Sequence, residues 1–337
     1  MNKHLLENPE LINFCKYISD SDSVIKSIFE CQKIRFTQPA ALNDPLEFNP
    51  TIKYHTINTQ YTKYYLNGIL LPSADDYFRI KYIFNQIKLH GILSLTRIPD
   101  SFSMWNLYSN GHKGAVLVLK PDFDKYPCML SPAGESYKLK EITYEDEYSF
   151  KLDDVVPNDN DRIPLEQVYD KIFFKKSSRW KDEGEWRMVR PLHEIADFDI
   201  KEPQKLYLFN FSLDCIGAII FGAMMSVKNK IYIKDCCKNH KLSFWQSVII
   251  RNETDRNGGP GKVLLVSEDE VKNKSPILQL ERIEPMACIM DKEQSQYRGF
   301  LPINDISEHP YFDVDKEYFL NYYKRNIGKQ RDQHNYP

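Results

Sequence analysis

SFSMWNLYSNGHKGAVLVLKPDF, residues 101–123, is the most organised stretch of this chain. Ser101 or Ser103 is placed to cap a short helix, because a serine hydroxyl accepts from the free amides of a first turn. Met104, Trp105, Leu107 and Tyr108 follow at helical spacing, and Asn110, Gly111 and Gly114 punctuate the exit. Residues 115–119, AVLVL, are apolar without alternation, which fits a buried strand. The stretch reads as a helix running into that strand, with His112 and Lys113 on the connecting turn.

Working outward, residues 11–29 have a mainly helical rhythm and residues 33–37 read as extended. Pro39, Asn43, Asp44, Pro45 and Pro50 make residues 38–50 irregular. Residues 75–90 return to helical spacing, Gly91 closes them, and residues 92–95 begin a strand. On the other side, strands are expected at 138–144, 185–189, 206–213 and 218–221, and helices at 165–174 and 227–240. Helices and short strands without a regular strand–helix alternation indicate an α+β protein, a compact mixed domain with a C-terminal extension. We divide it into a main domain (1–250), an exposed linker or loop rich in glycine (251–262), an extension packed on the main domain (263–320) and a polar tail (321–337).

Composition narrows the function classes. The 45 Lys and Arg against 47 Asp and Glu give a net charge of -2, so no global basic surface advertises nucleic acid. Seven cysteines, an odd number without C-x-x-C spacing, read as reduced thiols, and no metal is expected. The first thirty residues lack a secretory apolar core, and the apolar-leaning residues 211–227 are interrupted by Asp214 and short for a span. A cytoplasmic location without membrane contact is the expectation. The motifs of dinucleotide folds, P-loops, zinc proteases and serine hydrolases are all missing from the sequence.

Four segments carry candidate chemistry. RFTQPAALNDPLEFNP (35–50) presents Asn43, Asp44 and Glu47 on a turn. LSLTRIPDSFSMW (93–105) sets Ser94 and Thr96 at a strand end, where hydroxyls orient a ribose or phosphate, with Trp105 available to cover a planar ring. NLYSNGHKG offers His112 for proton transfer or anion binding. WKDEGEWRMVRP spaces Glu183, Glu185 and Arg187 two apart, which in a strand puts all three on one face for ion pairing or general acid–base work.

Through the runs RFTQPAALNDPLE, SMWNLYSNGHKG, WKDEGEWR and IGAIIFGAMMS, about residues 20–240, the chain resembles the bacterial domain-of-unknown-function family numbered twenty-nine seventy-one. Its pattern is more distantly similar to ADP-ribosyltransferases. That likeness implies NAD as cofactor, with Arg35 on a phosphate or ribose, Ser94 or Thr96 on the nicotinamide ribose, and Trp105 or Tyr108 against the ring. It implies Glu185 as the group that stabilises the reacting sugar or activates the acceptor, Glu183 as an orienter of the acceptor, and a protein, nucleotide or nucleic acid as that acceptor. Two other readings stand beside it: a ligand-sensing or bacterial defence-associated interaction module without catalysis, and a metal-assisted phosphoester hydrolase using Glu47, His112, Glu183 and Glu185.

Overall fold

In the computed structural model the Ser101 hydroxyl accepts from the Met104 amide at 3.4 Å, and the helix it caps runs Phe102–Tyr108. The apolar run behind it, Ala115–Leu119, is a strand buried at every residue. The turn between them is tight because Gly114 has no side chain: a Cβ there would overlap the Ile18 carbonyl. The structure describes residues 11–44, 47–48, 51–53, 64–66, 69–71, 74–146, 149–151, 169–194, 197–201, 204–252, 262–267, 278–283, 286–291 and 297–302.

Among these, the strands in chain order are β1 (Cys15–Ile18), β2 (Lys33–Arg35), β3 (Thr51–Lys53), β4 (Tyr64–Leu66), β5 (Ile69–Leu71), β6 (His90–Thr96) and β7 (Ala115–Leu119). Then come β8 (Leu139–Glu141), β9 (Thr143–Glu145), β10 (Ser149–Lys151), β11 (Lys175–Ser177), β12 (Glu185–Pro191), β13 (Asp197–Lys201) and β14 (Gln204–Asn210). The last are β15 (Ile216–Phe221), β16 (Ser243–Asn252), β17 (Lys262–Ser267), β18 (Leu278–Ile283), β19 (Met286–Asp291) and β20 (Tyr297–Pro302). The described α-helices are α1 (Asp22–Ile25), α2 (Ala74–Lys88), α3 (Phe102–Tyr108) and α4 (Val227–Cys237). The class is α+β, and no helix among the described residues is long and apolar enough to cross a membrane.

One large mixed sheet runs β18-β19-β20-β16-β15-β7-β1-β6-β12-β8, with β17 also on β16. Its two faces are covered by different cores. Leu93, Leu95, Leu117, Met188 and Ile219 pack on one side, while the opposite side holds Ile92, Val189 and Phe173 at one end and Trp105, Val116 and Val118 at the other. Burial on both faces explains why AVLVL shows no alternation. Of the expected linker, Arg251 and Asn252 end β16 and Lys262 opens β17, while residues 253–261 and the polar tail lie outside the described residues.

The sheet forks at β6. β1 pairs with β7 along its whole length, Cys15 opposite Val118 through Ile18 opposite Ala115, but meets β6 only where Cys15 faces Thr96. The other end of β6 turns to a new partner: Thr37 and Ile92 exchange backbone hydrogen bonds of 2.8 and 2.9 Å. Thr37 follows β2, which pairs with β14 and so begins a second sheet, β13-β14-β2.

Two expectations change. Residues 11–29 are not one helix: β1 comes first, then α1 and a π-turn at Lys26–Glu30. Phe14 and Ile18 bury on one face of β1 and Cys15 and Tyr17 on the other, which erases a strand's usual polar alternation. The strand expected at 138–144 is two short ones, β8 on β12 and β9 on β11, hinged at buried Ile142.

Candidate functional site

Strands that part leave room between them, and a cleft of about 200 Å³ lies at the fork, reached by side chains of Lys16, Arg35, Ser94, Tyr108, Trp180 and Glu185. Asn43, Asp44, Glu47, Thr96, Lys176 and Glu183 add to the polar lining. All four segments singled out in the sequence thus meet in one place, the third through Tyr108 and not through His112.

Register sets the floor. Pairing of β12 with β6 puts Glu185 opposite Thr96 and Arg187 opposite Ser94, so all four project to one face. Glu185 is 5% exposed and Arg187 0%. Their pairing is bidentate, Arg187 Nε donating to Glu185 Oε1 at 2.7 Å and a terminal nitrogen to Oε2 at 3.0 Å. Arg187 also donates to the Phe173 carbonyl at 2.9 Å and contacts Glu47. Lys176, buried as well, donates to Glu183 at 2.6 Å and Glu185 at 2.8 Å, with Glu47 3.9 Å away. Tyr108 closes the set, its hydroxyl donating to Glu183 at 2.5 Å.

Glu183 differs from the expected strand position. It ends a 3-10 turn, Ser178–Glu183; Gly184 then takes a left-handed φ of 49°, and β12 starts one residue later. Glu183 still reaches the network because the turn folds it back over Lys176.

Three carboxylates, Glu47, Glu183 and Glu185, share two cations, Lys176 and Arg187. Burial raises the Glu185 pKa, opposed by the Lys176 ammonium and the Ser94 hydroxyl. Burial also works against charge on Lys176, but attraction to Glu185 and Glu183 more than reverses it. Arg187 is drawn down to about 9 by burial, with Asp44 pulling the other way, and stays charged at neutral pH. Burial lifts Tyr144, whose oxygen accepts from the Glu185 amide at 2.8 Å, to about 12, so it remains a neutral phenol. The floor therefore sets three carboxyl groups against two cations, all buried.

The opposite wall is positive. Lys16 on β1 and Arg35 on β2 flank the fork, and among the described residues neither is ion-paired with a carboxylate. Lys16 Nζ donates to the Ser94 carbonyl at 3.0 Å, a group that β1 leaves unpaired. Burial takes its pKa down to about 8, against the attraction of Glu185 and with repulsion from Arg35. Burial lowers Arg35 too.

The remaining expected residues divide. Ser94 faces Glu185, whereas the Thr96 hydroxyl is consumed locally, donating to the Glu183 carbonyl at 2.7 Å and accepting from the Ile98 amide at 3.1 Å. Trp105 is 0% exposed, donates to the Pro99 carbonyl at 2.9 Å and stacks on His112 with centroids 5.9 Å apart, so it is not presented to a ligand. His112 does not line the cleft; burial lowers its pKa to about 4. Trp180 holds the aromatic position instead: it lines the cleft, its ring sits 5.1 Å from Lys176 Nζ, and its indole donates to Asp44 at 2.8 Å.

Lys16, Lys176 and Trp180 were not singled out in the sequence. Lys16 had a faint signal, a charged residue between the buried Cys15 and Tyr17. Among the described residues no group of three or more His, Cys, Asp or Glu is arranged to hold a metal ion, and the three cleft carboxylates converge on an ammonium and a guanidinium.

Residues 104–188 match the family model described as protein of unknown function (DUF2971). The span includes Tyr108, Lys176, Trp180, Glu183, Glu185 and Arg187, and excludes Lys16, Arg35 and Ser94. No curated protein and no solved structure matches the chain.

Proposed function

We propose that this chain, which matches DUF2971 over residues 104–188, cleaves the nicotinamide glycosidic bond of NAD and transfers ADP-ribose to a macromolecule or nucleotide. The reading rests on one observation: Arg35, Ser94 and Glu185, from three different strands, line a single cleft with carboxyl groups on its floor and Lys16 and Arg35 on its wall. NAD has matching polarity, a ribose that gains positive charge as nicotinamide departs and a diphosphate beside it. A preorganised carboxylate in a water-poor site stabilises such developing charge without reorganising.

In this mechanism Lys16 and Arg35 hold the diphosphate, and the Ser94 hydroxyl orients the ribose. Glu185, fixed by Arg187, accepts from a ribose hydroxyl. Trp180 and Tyr108 flank the nicotinamide, Tyr108 in the role expected of it and Trp180 in place of Trp105. The carbon–nitrogen bond breaks with its electrons leaving on nicotinamide, and an acceptor nucleophile bonds to the anomeric carbon and gives up its proton to water. Glu183 stands beside Glu185 to orient that acceptor. A cleft of about 200 Å³ is below the ~300–1,000 Å³ of a pocket that engulfs a small molecule. It encloses the reacting sugar and leaves the adenosine outside.

The test is mass spectrometry of the protein incubated with NAD and a mixture of bacterial protein, DNA and RNA, alongside Glu185→Gln. Nicotinamide release with an ADP-ribose adduct, lost in the folded variant, supports transfer; free ADP-ribose alone means hydrolysis. A second reading has its own support, since both Glu185 oxygens are already bonded to cations. In that reading the chain senses the nucleotide without turnover, and NAD binds while no nicotinamide appears. Phosphoester hydrolysis is less well supported, because His112 lies apart from the carboxylates.

A further inference from the structure

Away from the cleft, two short turns bring a pair of thiols together. Cys128 sits in the 3-10 turn Pro127–Met129 and Cys215 in the turn Leu213–Cys215, with their sulfurs 3.7 Å apart although 87 residues separate them. Cys128 is partly exposed and Cys215 buried, so one sulfur is reachable from solvent and the other stands behind it. Both turns are anchored: the Cys128 carbonyl accepts from Arg190 at 3.3 Å, and the Cys215 carbonyl from the Lys120 amide at 2.8 Å.

We propose that Cys128 and Cys215 form a reversible, peroxide-responsive disulfide. The chemistry suits the two environments. The hydrogen bond with Cys215 draws the Cys128 thiol down to about 7 despite partial burial, and the Arg190 guanidinium adds to the pull. A large thiolate fraction at neutral pH makes an accessible cysteine the nucleophile. Cys215 is pushed up by the same hydrogen bond and by burial, and so remains a protonated thiol beside it.

The Cys128 thiolate attacks one oxygen of a hydroperoxide; the oxygen–oxygen bond breaks, and the departing oxygen takes a proton to leave as water or alcohol. Cys128 is now a sulfenic acid. The Cys215 sulfur then attacks the oxidised sulfur, the hydroxyl leaves with the Cys215 proton as water, and the sulfur–sulfur bond forms. The dithiol loses two electrons and the peroxide gains them. A dithiol reductant reverses the process by exchange.

Reduced full-length protein titrated with hydrogen peroxide, quenched by alkylation and mapped by peptide mass spectrometry tests this directly. The expected product is one crosslinked peptide pair containing Cys128 and Cys215, lost on dithiothreitol treatment. Cys128→Ser should abolish it. In Cys215→Ser the sulfenic acid at Cys128 should persist and be trapped by dimedone. The wild-type midpoint of thermal unfolding should rise by several degrees on oxidation, and that of Cys128→Ser should not move. Over-oxidation of Cys128 without a crosslink, or crosslinks through other cysteines at equal peroxide, would overturn the proposal. The wild-type peptide map decides even if Cys215→Ser fails to fold.

Discussion

Glu185 and His112 are both buried, 5% and 3% exposed, and both come from polar segments, yet they sit in opposite kinds of surroundings. Glu185 has a cation on each oxygen, a hydroxyl nearby and an open cleft above. His112 has rings: Trp105 stacked at 5.9 Å and Phe102 tilted at 4.9 Å, with no hydrogen bond to either ring nitrogen among the described residues. The contrast separates burial that holds charge ready from burial that uses a polar residue as a flat neutral ring. Burial alone marks neither; partners do.

The largest effect expected is at the charged end of that contrast. Arg187→Met keeps volume but strands Glu185 and Glu47 beside a single ammonium, and should cost about 3–5 kcal/mol in chemical denaturation. A loss below about 1 kcal/mol would mean the floor does not depend on that cation.

At the other end, His112 should reveal itself in acid. Its folded pKa near 4 lies below the ordinary 6.5, so the unfolded chain takes up a proton that the folded chain refuses. Stability falls as pH drops from 6.5 to about 4, then levels, a loss of about 2–3 kcal/mol from this group. Buried His90 is lowered in the same direction, so the comparison must be with a His112 variant. His112→Asn suits the left-handed φ of 64° and should flatten that part of the pH profile. An unchanged slope would show that His112 finds a partner or solvent.

The smallest effect concerns the cleft's positive wall and rests on the proposed NAD chemistry. With Lys16 near 8 in the free protein, kcat/KM should fall above pH 8 as the ammonium is lost. Lys16→Arg should move that limb upward, and Lys16→Met should lower kcat/KM about tenfold at pH 7, or about 1.4 kcal/mol. A profile flat from pH 7 to 9 would remove Lys16 from the site.

Much of this was legible locally. The Ser101 cap, the AVLVL strand and the Glu185–Arg187 pair on one strand face all follow from neighbouring residues alone. Glu183 was misplaced because Gly184 breaks the strand by its φ, which spacing does not announce. Trp105 and Tyr108 were indistinguishable as ring-stacking candidates; only the long-range packing of α3 buries the first and leaves the second against the cleft. The fork depends on a single register, Cys15 against Thr96, and no local pattern encodes where two strands stop pairing.

At that fork a side chain does the work of a missing strand, since the Lys16 ammonium satisfies the Ser94 carbonyl that β1 turns away from. An anion that binds Lys16 therefore shares the ammonium with that carbonyl, since one of its three N–H donors is already given. Occupancy of the cleft is then felt in the sheet: a guest that leaves the ammonium in place keeps its torn edge mended, and one that pulls the ammonium away must bring a donor of its own.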